Sequence, residues 1–246
     1  MTRTYDTFDL MQESSPLRLL AHSGNMELSN QQEAALGQIY LVRHGETAWN
    51  KAKIFRGRRD IPLNEQGRLE AAGAALALRE VPLAAIYSSP LSRARATAEA
   101  VAAGHGLAVI ADEAFTDIDF GAWTEHWETE VCRKFSDQYR QWKESPHLVK
   151  FDGGESLDEV RRRAVPRLLE LARQRPESTI AIVSHRVVLK LLLCEAKGLD
   201  NSHFWKIPLD TCAISVLEYA NGTLRVVVEN DTRHLQALTD CHREDF

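Results

Sequence analysis

Short apolar runs and longer stretches of helical spacing alternate through most of the chain. Ile39, Tyr40, Leu41 and Val42 form the first run, good strand formers that pass directly into Arg43, His44 and Gly45. Further strands are expected over residues 84–88, 107–111 and 178–183. One helix is expected from a cap at Asn64 to about residue 79, and another opens at Ser89-Pro90 and runs to about residue 103. A polar helical stretch carries Trp127 and Trp142. A capping box, Ser156 to Glu159, starts a long helix to about residue 174 that Pro166 should kink, and a further helix spans residues 187–196. Residues 213–219 and 223–229 flank Asn221-Gly222, a strong hairpin signal. This alternation predicts an α/β three-layer sandwich, with a mostly parallel central sheet, helices on both faces and an antiparallel hairpin near the C-terminus.

Residues 1–37 depart from this pattern. They are rich in Ser, Gln, Asn and Glu without a sustained period, and read as a partly disordered extension with a short helix near residues 31–36. Residues 38–246 are then the folded domain. Hydrophobic residues make up 44% of the chain and charged residues 26%, enough for a sizeable core. The net charge of −5 gives no basic footprint for nucleic acid. No apolar stretch approaches the roughly 18 residues of a membrane span. Cys132, Cys194, Cys212 and Cys241 show no Cys-x-x-Cys spacing, which suits a reducing cytoplasm. The chain also lacks a GxxxxGK[ST] loop, an HExxH pair and clustered Cys/His ligands, so neither a P-loop nor a metal or other cofactor is expected.

Three segments put cationic or imidazole groups just after strands or one turn into the next helix. They are Arg43-His44, Arg93 (with Arg95 nearby, expected to face away) and His185-Arg186. Ligands of open α/β sheets bind beyond the carboxyl ends of the strands, so the three segments are expected to meet there. Two guanidiniums and two imidazoles around one cavity repel one another unless an anion joins them. A phosphate group satisfies all four, since Arg binds its oxygens as a fork and imidazole N–H takes a further one.

Six segments, RHGETAWN (43–50), GRRDIPL (57–63), SSPLSRARATA (88–98), DIDFGAW (117–123), GGES (153–156) and VSH (183–185), resemble the histidine phosphatase superfamily, in its phosphoglycerate mutase-like branch. The resemblance covers about residues 38–230. It implies a phosphomonoesterase acting through a phosphohistidine on His44, with Arg43, Arg93 and His185 on the phosphoryl oxygens and Asn50 as a further polar contact. Asp117 falls where the family usually carries a Glu as proton donor; Asp119, Glu113 and Glu46 are its competitors. Gly57, Arg58 and Arg186 are further expected substrate contacts, although the family often has Gly where Arg186 stands. Glu46, Trp49, Arg56, Arg58 and Trp123 are expected around the mouth, with Trp123, Trp127 and Trp142 mainly as packing residues. The implied partner is a small phosphorylated substrate, on a monomer or homodimer. Two other readings remain open: phosphoglycerate mutase-type transfer, and a phospholigand-binding protein with a weak site. Family mutases tend to carry an Arg close to the acidic residue; Ile118, Asp119 and Phe120 follow here instead.

Overall fold

The computed structural model describes residues 37–236; the expected extension and its short helix near residues 31–36, like Cys241, lie outside the described residues, except that Gly37 opens the first strand. Six strands form one sheet: β1 (Gly37–Arg43), β2 (Leu83–Ser88), β3 (Val109–Ala111), β4 (Thr179–Ser184), β5 (Ile214–Ala220) and β6 (Thr223–Asp231). Their order is β3-β2-β4-β1-β5-β6. The β1–β4, β2–β4 and β2–β3 pairs are parallel, and β5 and β6 join antiparallel. The expected sandwich with its terminal hairpin is the fold observed. At the hairpin tip Asn221 and Gly222 both have positive φ, at 52° and 81°, the conformation that a two-residue primed turn requires.

Side chains alternate across the pleat, and the two faces build separate cores. Ile39 and Leu41 of β1 pack in one with helix α6 (Leu157–Gln174) and α7 (Arg186–Ala196). Tyr40 and Val42 pack in the other with α2 (Glu65–Leu78) and α3 (Ser92–Ala103). Pro166 sits inside α6 without interrupting the helical run. Pro90 precedes α3 rather than opening it; Leu91 is the cap and Ser92 the first helical residue. The segment after β1 contains a short helix, α1 (Ala48–Lys51), and the polar helical stretch divides into α4 (Glu128–Lys134) and α5 (Ser136–Glu144).

The register of the sheet places the chemistry. Arg43 pairs with Ser184 and Ser88 with Val183, so β1, β4 and β2 end level with one another. The ladder runs one residue further: His44 N–H donates to the Ser184 carbonyl at 3.0 Å, and Ser89 N–H to the Val183 carbonyl at 3.0 Å. His44 and His185 therefore leave adjacent strands at one height, with Ser89 one residue behind them on the third. After β1 the chain moves to β2 on one side, and after β4 it moves to β5 on the other. This edge is the topological switch point at which α/β sheets bind ligands.

Candidate active site

His44 follows β1 and is fully buried. Its Nδ1 lies 2.7 Å from the Gly45 carbonyl. A carbonyl only accepts, so Nδ1 carries the hydrogen and Nε2 keeps its lone pair. That Nε2 is buried and has no protein partner. Gly45 makes the turn possible: a Cβ there would sit 2.3 Å from the Gly67 carbonyl oxygen at the start of α2. The Gly45 N–H donates to Thr97 Oγ1, whose hydroxyl donates to the Arg93 carbonyl, which couples the turn to the helix carrying Arg93.

His185 caps α7, also fully buried, with its ring centroid 5.1 Å from that of His44. Its Nε2 lies 2.7 Å from Ser89 Oγ, which already accepts from the Leu91 N–H. The Ser89 hydroxyl can give its hydrogen to Nε2, and Nδ1 faces an Asp117 carboxylate oxygen at 3.6 Å, which favours the tautomer with Nδ1 as an N–H donor into the site. The positive end of the α7 dipole lies at the same point.

Arg93, on α3, is held from behind by carbonyls of the loop at residues 57–59. Nη1 donates to Arg59 O at 2.8 Å and Nη2 to Gly57 O at 3.1 Å. Gly57, with φ of +53°, thus meets Arg93 through its backbone. Arg43 Nη1 donates to the Leu209 carbonyl at 2.9 Å. Asp117 Oδ2 accepts from Arg93 Nη2 at 3.1 Å and lies 3.6 Å from His185 Nδ1, while Oδ1 accepts from the Ile118 N–H. Arg43, His44, Arg93, Asp117 and His185 are thereby brought into one cluster.

The charges in the cluster are unbalanced. Burial, and then the surrounding cations with Arg93 foremost, push both imidazoles well below their ordinary value of 6.5, so both are neutral at physiological pH. Burial lowers the Arg43 guanidinium to about 9, helped by Arg186 and Arg56. Arg43 Nε, Arg56 Nε, Arg93 Nε and His185 Nδ1 are buried N–H groups without a partner among the described residues. Four unspent donors and one bare imidazole nitrogen in one cluster are an arrangement that suits a tetrahedral oxyanion.

A cleft of 440 Å³ opens above this cluster, lined in part by Arg43, Asp117, Glu46, Trp49, Asn50, Arg56 and Arg186. Asn50 is on this wall, although its Oδ1 is held by the backbone N–H and hydroxyl of Thr47. Arg58 is not turned to it: the guanidinium pairs with Glu155 at 2.9 Å and reaches the Asp117 carbonyl at 3.4 Å, supporting Asp117 from outside together with Arg163. Trp123 is fully buried in an aromatic cluster with Phe55 and Phe151 rather than at the mouth. Trp142 packs as expected, whereas Trp127 is half exposed. Arg95 faces away and pairs with Glu99. Of the rival carboxylates, Asp119 accepts from the Gly121 N–H and Glu113 from the Thr116 hydroxyl, while Glu46 borders the cleft and accepts from Asn64. Sequence reasoning missed Ser89, Thr97 and Glu70. Glu70 is a buried carboxylate, pushed up by burial, that holds the Glu46 N–H at 2.8 Å. A Ser directly after a strand and a Thr one helical turn beyond Arg93 were the available signals.

Residues 39–232 match the profile of the histidine phosphatase superfamily, branch 1. The chain belongs to that superfamily. It is 35% identical to phosphoserine phosphatase 1 of Hydrogenobacter thermophilus, over 84% of this chain and 98% of the relative. It is 32% identical to a protein named probable phosphoglycerate mutase GpmB in Escherichia coli, over 81% of this chain and 95% of that one. Among solved structures, Bacillus stearothermophilus YhfR superposes with a TM-score of 0.78 at 33% identity, over 81% of this chain and all of that one. The protein is accordingly a histidine phosphatase, an enzyme of phosphoric monoester hydrolysis. Among the described residues no helix is long and apolar enough to cross a membrane, and no group of three or more His, Cys, Asp or Glu is placed to hold a metal ion.

Proposed function

We propose that the protein hydrolyses the phosphomonoester of a small metabolite through a phosphohistidine on His44, with O-phosphoserine as the first substrate to test. The observation that carries the reading is the bare Nε2 of His44, oriented by the Gly45 carbonyl and surrounded by buried N–H groups that nothing in the protein satisfies. The choice of substrate rests on the phosphoserine phosphatase relative.

In the first step the Nε2 lone pair forms a bond to phosphorus as the bond to the ester oxygen breaks. Charge spreads over three phosphoryl oxygens, which Arg43, Arg93, Arg56 and the His185 Nδ1–H stabilise. The carboxyl group of Asp117 gives its proton to the leaving alkoxide. In the second step water attacks phosphorus, Asp117 takes the water proton, and the N–P bond returns its electron pair to His44. Because Asp117 Oδ2 accepts from Arg93 Nη2, an arriving phosphoryl group competes for that N–H and frees the carboxyl group to face the ester oxygen.

The test is rapid acid-free quenching during turnover of phosphorus-labelled O-phosphoserine. An acid-labile, base-stable phosphoprotein that disappears in His44→Ala is expected. Steady release of phosphate without any such species overturns the intermediate. Turnover of 3-phosphoglycerate to its isomer faster than phosphate release overturns hydrolysis in favour of mutase chemistry.

A further inference from the structure

Arg186 has no role in the chemistry proposed above, yet it is held with care. It is the first residue of α7, and its guanidinium lies 5.5 Å from the Trp205 ring centroid. Trp205 is itself fixed by its Nε1–H, which donates to the Trp142 carbonyl at 2.6 Å. A guanidinium over an indole face at this distance is attracted by the ring, a contact that leaves its N–H groups unspent. Among the described residues no hydrogen bond or ion pair uses them, and the residue borders the cleft. It lines the cleft together with Arg43 and Asp117, whereas His44, Arg93 and His185 are not among the residues that line it.

The rest of the rim narrows what those N–H groups would bind. Lys53, Arg56 and Arg186 line the cleft together with Glu46, Glu128 and Asp210, and among the described residues none of the six forms an ion pair. The three acids are held by neutral partners, Asn64, Tyr139 and Asn230. Cations and anions in equal number, kept apart around one opening, suit a ligand end that carries both signs. A second phosphate would set two negative charges against three carboxylates. A carboxylate beside an ammonium would satisfy both sets.

We propose that the stacked guanidinium of Arg186 is the specificity element of the cleft and binds the carboxylate of a zwitterionic, amino-acid-like phosphomonoester as a fork. This rests on the phosphatase reading and names the substrate class for it. Arg186 acts through the distal group alone, so its contribution is the same before and during phosphoryl transfer and falls mainly on KM.

The test compares O-phosphoserine with O-phosphoethanolamine, which lacks only the carboxylate. The protein is expected to prefer O-phosphoserine. Arg186→Met, which keeps the packing stem on Trp205, should lower the ratio of the two kcat/KM values by about 10- to 100-fold, the worth of a charge-assisted fork. Arg186→Lys keeps the charge without the fork, and should lower the ratio several-fold through KM; it provides the reading if the Met variant does not fold. An unchanged ratio in both variants, or a parent enzyme indifferent to the carboxylate, overturns the subsite and leaves the phosphatase reading standing. Absence of phosphate release from both esters and from p-nitrophenyl phosphate overturns the two together.

Discussion

The ends of β1 and β4 are built alike up to a histidine and differ in the atom that each imidazole meets. His44 and His185 are both fully buried, follow paired strands at one height, and are held neutral first by that burial and then by Arg93, Arg56 and Arg43, which act on both. One ring faces a carbonyl, which can only accept; the other faces a hydroxyl, which has a hydrogen to give. The first partner leaves a lone pair toward the cluster and the second leaves an N–H. A single hydrogen-bond choice thus separates a ring that offers a lone pair from one that offers an N–H, with the electrostatic environment nearly constant.

That contrast is open to direct attack. His44→Ala should lower phosphate release by at least about 10³-fold and abolish the phosphoprotein. His185→Ala should cost about 10²- to 10³-fold while a labelled His44 still accumulates on quenching. Loss of labelling in both would mean that the two rings share one role. Next in size is a dependence of stability on pH. Both imidazoles have folded-state pKa values pushed below 6.5, so as pH falls through 6.5 the unfolded chain takes up protons first and the fold is penalised. Stability of the ligand-free enzyme should therefore fall below pH 6.5 by about 1.4 kcal/mol per pH unit for each imidazole. Urea denaturation between pH 5 and 7 measures it, and His185→Gln should remove about half of the slope.

Smaller effects probe the partners. Ser89→Ala takes away the hydroxyl that sets the His185 tautomer, and should lower kcat about tenfold, with less effect on His44 labelling than His185→Ala. Thr97→Val cuts the link between the Gly45 N–H and the Arg93 carbonyl, leaves a buried donor unpaired and should cost about 1–3 kcal/mol of stability in thermal or urea unfolding. A Thr97→Val enzyme of parental stability would show that the turn after β1 needs no such tie.

The apolar run before Arg43 and the Asn-Gly pair at residues 221–222 are local signals, and each formed the element that it announced. The arrival of His44 and His185 in one cluster was legible because a strand's carboxyl end fixes where the next residue goes. Other features depend on contacts far along the chain. Arg58 turns to Glu155 and Trp123 to Phe55 and Phe151, partners far along the chain that no local pattern encodes. The division of the polar helical stretch at Phe135 and the placement of Pro90 before α3 are boundary effects, which propensities describe least well. Asp117 was legible as an acid near the site. Its contact with Arg93 was not, since it depends on how the loops at residues 57–59 and 116–118 cross.

β5 does more than extend the sheet. The Arg43 N–H donates to the Ala213 carbonyl, and the Cys212 N–H to the His44 carbonyl, while the Arg43 guanidinium is anchored on Leu209. The segment that clasps the first strand is thus synthesised some hundred and seventy residues after it. During translation both imidazoles and Arg93 leave the ribosome well before that clasp, and β1 carries an open edge until it arrives. The contacts that complete the backbone around Arg43 and His44 can therefore close only after the last hairpin has been made.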